Sequence, residues 1–404
     1  MAGRFVAAAL AVSLAAGAAQ GADGAPGLKP IDPAALQAEI EALADSLTLP
    51  GAMVRLTTPA GDLVFGHGTT ELGTATPPTA TTAFRAASNT KTMTAAVIVQ
   101  MVQEGRLRFT DPVAAFVADV PGGDAITIDQ LLRMRSGLFN FTAAPELAES
   151  LDREPGKVWS ADEVLGMAFA RPPDFAPGAA FEYNNTNYYL LGLVAERIDG
   201  KPLAAIFEDR LFGPLGMERT ALPAAASTAL PAPFAHGYLY GGAAYALADA
   251  PYPGALRDAA RAGTLKPNDA TWQNPSAYFA AGGVVSTADD LATWMQALVG
   301  GRVLDAGMQA AWLASPEAPV PGEAAMQKYG YGILTLSFGG NVIYYHEGEM
   351  PGYQSFMGYD PANDMTLVIW TNLTLDPDGV ATANTLMVKV LDAIYAVSPL
   401  EQGK

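Results

Sequence analysis

The sequence predicts an α+β fold: one antiparallel β-sheet flanked by helices, with an all-helical lobe inserted into it. Strand-like segments cluster near both ends of the chain. Between about residues 106 and 276, helical segments alternate with Pro/Gly-rich loops and strand signals are few. At 404 residues the chain is longer than one compact core usually holds, so an interleaved arrangement is expected. Residues 22–105 and 277–404 are assigned to the sheet part, residues 106–276 to the helical lobe, and residues 1–21 to a signal peptide. Such a layout leaves a groove between sheet and lobe.

The elements follow in order. Arg4 precedes an apolar run from Phe5 to about Ala19 that is too short to span a membrane, and small residues at Ala19-Gln20-Gly21 fit a leader-peptidase site. Export to the periplasm or the medium is therefore expected, with no membrane span in the mature chain. After a Pro/Gly-rich tether, Leu36, Ile40, Leu43 and Leu47 recur at helical spacing across 34–47. Residues 51–58 and 62–66, joined by Pro59-Ala60-Gly61, read as a β-hairpin. A helix follows from Ser88 to Gly105, with Met93, Val97, Met101 and Val102 inward and Gly105 as its stop. In the lobe, residues 128–134, 161–169, 188–198 and 202–211 read as helices, and 222–275 as loop throughout. Residues 287–299 form a helix capped by Ser286 or Thr287. Strands are expected at 329–336, 341–346, 353–359 and 365–371, and a last helix over about 380–397. No internal repeat is present.

Composition narrows the chemistry. Forty-one acids against 23 bases give a net charge of −18, which argues against nucleic acid or an anionic membrane as partner. There is no cysteine, which excludes disulfides, a thiol nucleophile and a Cys-ligated metal. His67, His236 and His346 lie far apart without ligand spacing, so neither a metal nor another cofactor is expected. Oligomeric state leaves no mark in the sequence.

Three short stretches carry chemistry. Ser88 is the only serine with a lysine, Lys91, three residues on. One helical turn brings the two side chains together, and an adjacent amine can take a hydroxyl's proton. Lys91 also points along a helix rich in Ala and Val, where a solvated lysine has no obvious exit. The second stretch is Phe181-Glu-Tyr-Asn-Asn-Thr-Asn-Tyr-Tyr-Leu-Leu-Gly192. Tyr183 and Asn185 are placed on a polar loop before a helix starting near Tyr188. A phenol beside a lysine ionises more easily, and the Asn185 amide both donates and accepts hydrogen bonds. The third is Tyr344-Tyr-His-Glu-Gly-Glu349, with His346 at a strand end and Gly348 allowing backbone to approach a ligand.

Ser-x-x-Lys, Tyr-x-Asn and His-x-Gly in that order resemble the penicillin-recognising serine hydrolases: D-alanyl-D-alanine carboxypeptidases, class C β-lactamases and related esterases. The stretches 126–138, 282–291, 329–332 and 351–352 resemble the same family, and the likeness runs over about residues 34–397. It implies a β-lactamase/transpeptidase-like fold and a small-molecule or peptide substrate such as a cell-wall peptide. It also implies that Ser88 attacks a carbonyl to form an acyl-enzyme, while Lys91 and Tyr183 relay the proton to the leaving group. Asn185 would hold the substrate and orient Lys91, and the backbone N–H groups of Ser88 and Glu349 would hold the oxyanion, at roughly 3 kcal/mol each. His346 and Gly348 complete the expected substrate-binding set.

The departure from the family pattern begins at His346, where many relatives have lysine, with a hydroxyl residue next to it in place of Glu347. Strand alternation places Glu347 and Glu349 on the face opposite His346. Either one, if turned into the groove, would repel the free carboxylate of a β-lactam or a D-Ala-D-Ala peptide. A protonated His346 binding that carboxylate would make activity fall above about pH 6.5. Two further readings share the scaffold: a carboxylesterase, and a catalytically silent module binding peptidoglycan or a partner. An α/β-hydrolase is excluded, since the chain has no G-x-S-x-G elbow.

Overall fold

The computed structural model describes residues 27–397 apart from Asp249, Pro321 and Ala324, so the expected leader over 1–21 lies outside the described residues. Seven strands form one sheet: β1 Gly51–Thr58, β2 Gly61–Gly68, β3 Gln327–Tyr329, β4 Leu334–Phe338, β5 Asn341–Met350, β6 Tyr353–Asp360 and β7 Met365–Thr371. Their spatial order is β2-β1-β7-β6-β5-β4-β3, antiparallel at every pairing. The hairpin at Pro59-Ala60 joins β1 to β2, and β7 pairs with β1, so the two ends of the chain meet in mid-sheet. All seven residues of β7 are buried, as a strand covered on both faces must be.

The covering helices are α1 Pro33–Ser46, α2 Thr90–Gln103, α3 Asn185–Asp199, α4 Ala288–Val299 and α5 Thr382–Ile394. Asp32 caps α1 by accepting from the N–H groups of Ala34 and Ala35, and Leu36, Ile40 and Ala44 face inward. α1 packs on α5, while α4 and α5 both pack on β6 and β7. α2 lies deeper. Every residue from Thr90 to Val99 is buried, and its threonines turn their hydroxyls to neighbouring groups rather than to water. α2 packs against α3 and the short helix Phe279–Gly282, which sets the helical layer against the sheet beside Ser88.

Several boundaries differ from the sequence expectation. Residues 222–275 are not loop throughout: Ala244–Leu247 and Gly254–Arg261 are helical, and Tyr238–Leu239 pairs with Asn268–Asp269. Alanine favours helix strongly enough to build short turns between the glycines and prolines. The run expected as one strand over 329–336 is broken into β3 and β4 by a turn in which the N–H of Gly330 donates to the carbonyl of Ile333. α3 begins at Asn185 rather than near Tyr188, because Asn184 caps it by accepting from the N–H of Thr186. β5 does not end at His346 but runs on to Met350, since Glu347, Gly348 and Glu349 keep their register with β6.

Candidate active site

Ser88 sits in a 3₁₀ turn, Ala87–Asn89, that leads into α2. The turn is strained: Ala87 has φ +49°, a left-handed conformation that costs a non-glycine residue about 1–2 kcal/mol. Surrounding bonds impose it. The Thr90 hydroxyl donates to the carbonyl of Ala87 at 2.7 Å and accepts from the N–H of Val284 at 3.1 Å. The Asn89 amide donates to Ser355 on β6 at 2.8 Å. The nucleophile candidate is thereby stitched to the sheet before it meets any substrate.

The Lys91 amine is fully buried and lies 2.8 Å from Ser88 Oγ, 2.7 Å from Asn185 Oδ1 and 2.7 Å from the carbonyl oxygen of Ala281. Burial holds its pKa well below that of an ordinary lysine. Asn185 Oδ1 and the Ala281 carbonyl only accept, so each takes an N–H from Lys91. In the neutral amine, the remaining position is the lone pair, and it faces Ser88. The arrangement suits a general base for the serine hydroxyl.

Tyr183 lies over the same amine, with Lys91 Nζ 4.8 Å from its ring centre, and hydrogen bonds with Ser88. Its phenol is expected from sequence to ionise more easily, but the structure reverses this. Burial is the largest influence and raises the pKa, the bond to Ser88 lowers it, and Glu347 and Glu349 raise it further. Tyr183 therefore enters the site as a proton donor.

Asn185, in the first turn of α3, is fixed by the Thr142 hydroxyl, which accepts from its Nδ2 at 2.9 Å, and by Asn140 Oδ1, which accepts from its backbone N–H at 3.1 Å. Asn140, Thr142 and the Ala281 carbonyl are absent from the residues expected from sequence. A backbone carbonyl carries no side-chain signature, and isolated Asn and Thr in a loop read as turn formers.

His346 is buried, with Nδ1 2.6 Å from the Glu347 carbonyl oxygen and Nε2 3.5 Å from the Tyr329 hydroxyl. Burial drives its pKa down to about 3 against an opposing pull from the Glu347 carbonyl. The expectation of a protonated His346 clasping a carboxylate is thus corrected: the ring is neutral across the physiological range. Gly348 is needed for a different approach from the one expected. A Cβ there would stand 2.3 Å from the Ala86 carbonyl oxygen and 2.5 Å from Ser355 Oγ, so glycine lets β5 press on the turn that carries Ser88.

Ser88, Tyr183, Asn185, His346, Glu347 and Glu349 line one cleft. The carboxylates of the two glutamates follow strand alternation: Glu347 bonds Asn384 at the start of α5 and Glu349 bonds Gln354, on the face opposite the one where Gly348 meets Ala86. β4 stops pairing at the Leu334–Tyr345 position, so β5 beyond Tyr345 has an open edge. Ala246, Leu247, Tyr278 and Met350 supply apolar wall. Two of these come from the stretch 222–275, whose residues carry no readable signal in sequence.

A family profile described as Beta-lactamase matches residues 36–392. Among curated proteins, Protein flp of Staphylococcus aureus (strain MW2) is 25% identical over 346 residues, covering 84% of this chain and 63% of the relative. The chain thus spans less than two thirds of the length of that relative. Among solved structures, a D-stereospecific amidohydrolase from Streptomyces sp. is 26% identical, with a TM-score of 0.74 and coverage of 90% of this chain and 98% of the other. The D-amino acid amidase from Ochrobactrum anthropi SV3, complexed with L-phenylalanine amide, is 27% identical, with a TM-score of 0.72 and coverage of 89% and 98%. With the family profile running across nearly all of the described fold, the chain belongs to the beta-lactamase family of serine hydrolases.

Proposed function

We propose that this serine hydrolase acts through an acyl-enzyme at Ser88 on amides, peptides or esters of D-amino acids. The observation that carries the reading is the 2.8 Å contact between the buried Lys91 amine and Ser88 Oγ. Neutral Lys91 takes the Ser88 proton as Oγ bonds to the substrate carbonyl carbon. The carbonyl oxygen gains negative charge and is held by the backbone N–H groups of Ser88 and Glu349, the donors assigned here. As the tetrahedral intermediate collapses, the C–N or C–O bond breaks and the leaving group takes a proton through Tyr183. Water, giving its proton back along the same route, then releases the acid and restores Ser88. General base and acid of this kind contribute about 10²–10⁴-fold each.

The preference for D-amino-acid amides over β-lactams and D-Ala-D-Ala peptides rests on a His346 that stays neutral, in a cleft lined by no lysine or arginine among the described residues. Such a lining offers no cation to a free carboxylate. The two amidohydrolases with similar structures point the same way. The apolar leader over 1–21 supports export as part of the same proposal.

A fluorophosphonate label and a substrate panel test it. The panel compares D-phenylalanine amide, a D-Ala-D-Ala peptide, a cephalosporin and a short-chain p-nitrophenyl ester. Labelling and D-amide hydrolysis that vanish in Ser88→Ala are expected. Labelling that survives this substitution would sink the assignment of the nucleophile, and faster turnover of the cephalosporin or the dipeptide would sink the substrate class.

A further inference from the structure

The carbonyl that orients Lys91 belongs to a helix of one turn, Phe279–Gly282, which is too short to satisfy its own last carbonyls. The N–H of Gly283 donates to Phe279, that of Val284 to the Thr90 hydroxyl and that of Val285 to Ala221. Among the described residues no backbone N–H therefore claims the carbonyls of Ala280 and Ala281. α2 supplies both partners. The Thr94 hydroxyl donates to the carbonyl of Ala280 at 2.7 Å, and the Lys91 amine lies 2.7 Å from the carbonyl oxygen of Ala281. Lys91 and Thr94 are three residues apart on α2 and share a face, so they meet successive carbonyls of the same short helix.

The short helix depends on such outside bonds. Phe279 opens it at φ +38°, a conformation that a non-glycine residue keeps only where its surroundings impose it. From the other side α3 presses close at Gly192, where a Cβ would stand 2.3 Å from Ala280 Cβ. Packing sets how near the helix lies, and hydrogen bonds set where its carbonyls point. The bond from Lys91 changes as the amine takes up a proton and passes it on. The bond from Thr94 has no chemistry to perform. Thr94 is fully buried, so it meets no substrate.

We infer that Thr94 is a positioning residue for the base. By holding Ala280 it keeps the Ala281 carbonyl on Lys91, and with it the lone pair of the amine on Ser88. The inference rests on the reading of Lys91 as the base that activates Ser88. Thr90 ties the same segment at Val284 but also holds the carbonyl of Ala87, so its loss would move the nucleophile too. Thr94 acts on the base alone.

The rate of fluorophosphonate labelling reads the activation of Ser88 without turnover. Thr94→Val keeps the shape and removes the hydroxyl, and labelling is expected to slow about tenfold. Thr94→Ser, which keeps the hydroxyl, should label within about threefold of wild type. Hydrolysis of a p-nitrophenyl ester by Thr94→Val should show the loss in kcat, with KM within about twofold. In a Lys91→Met background, Thr94→Val should slow labelling by less than about twofold further, since no amine is left to orient. Labelling of Thr94→Val at the wild-type rate would overturn the inference. So would an equal loss with and without Lys91, which would show Thr94 acting through the fold. Should Thr94→Val not fold, Thr94→Ala against Thr94→Ser carries the same comparison, and equal labelling of the two would overturn it. Labelling as fast in Lys91→Met as in wild type would overturn the inference together with the reading beneath it, whereas the other outcomes leave that reading standing.

Discussion

The Lys91 amine and the carbonyl oxygen of Ala281 lie 2.7 Å apart, and this contact orients the base as much as the contact with Ser88 does. A carbonyl can only accept, so it claims one N–H of Lys91, and Asn185 Oδ1 claims a second. The lone pair is then confined to the direction of the serine hydroxyl.

Lys91→Met tests this directly, because methionine fills a similar volume without the amine. Hydrolysis is expected to fall by about 10²–10⁴-fold. Stability should shift little in net terms: the burial cost of the amine disappears, while Asn185 Oδ1 and the Ala281 carbonyl lose a donor at about 1–3 kcal/mol each. Thermal unfolding beside steady-state kinetics measures both, and a variant within about tenfold of wild type would remove Lys91 from the role of base.

Tyr183→Phe keeps the ring that stacks edge-on to Tyr329 and removes only the hydroxyl. If that hydroxyl delivers the proton to the leaving group, amide hydrolysis should fall by about 10²-fold or more. A p-nitrophenyl ester, whose leaving group departs without protonation, should be much less affected. Equal losses on both substrates would instead assign Tyr183 to activation of Ser88.

His346 should show no proton uptake between pH 5 and 8, since its pKa is lowered from 6.5 to about 3. The linkage follows from the sign of this shift. Below 6.5 the unfolded chain binds a proton that the folded one refuses, so this histidine's contribution to stability is present above that pH and is lost as pH falls towards 3. Side-chain NMR of His346 across this range is the measurement, and an inflection near 6.5 would contradict the buried neutral ring.

Gly348→Ala should damage activity and fold together. The added methyl would meet the Ala86 carbonyl oxygen at 2.3 Å, so either β5 or the Ser88 turn must move. A loss of about 1–3 kcal/mol in unfolding free energy is expected, together with slower labelling of Ser88. Unchanged labelling would show that the turn does not depend on β5.

The sheet was legible because its strands alternate or run apolar between clear turns, and the helix after Ser88 because Met93, Val97 and Met101 recur on its inward side. Ser88, Lys91, Tyr183 and Asn185 declared themselves through side chains whose chemistry is scarce in an apolar setting. Protonation states did not. Those of Lys91, Tyr183 and His346 depend on how much water is excluded, and that is a property of packing among distant segments. The side of Glu347 was legible as well: strand alternation places it opposite His346, and its carboxyl bonds Asn384 on the α5 face.

Gly348 also has a consequence for how this cleft can change. With no side chain between β5 and the Ala86 carbonyl, backbone meets backbone, and the spacing between the nucleophile and the strand edge is set without any adjustable part. Another part of the wall is made of Ala246 and Leu247, on a short helix outside the sheet. Substrate range can therefore be widened or narrowed from that wall, while the distance over which bonds are made and broken stays constant.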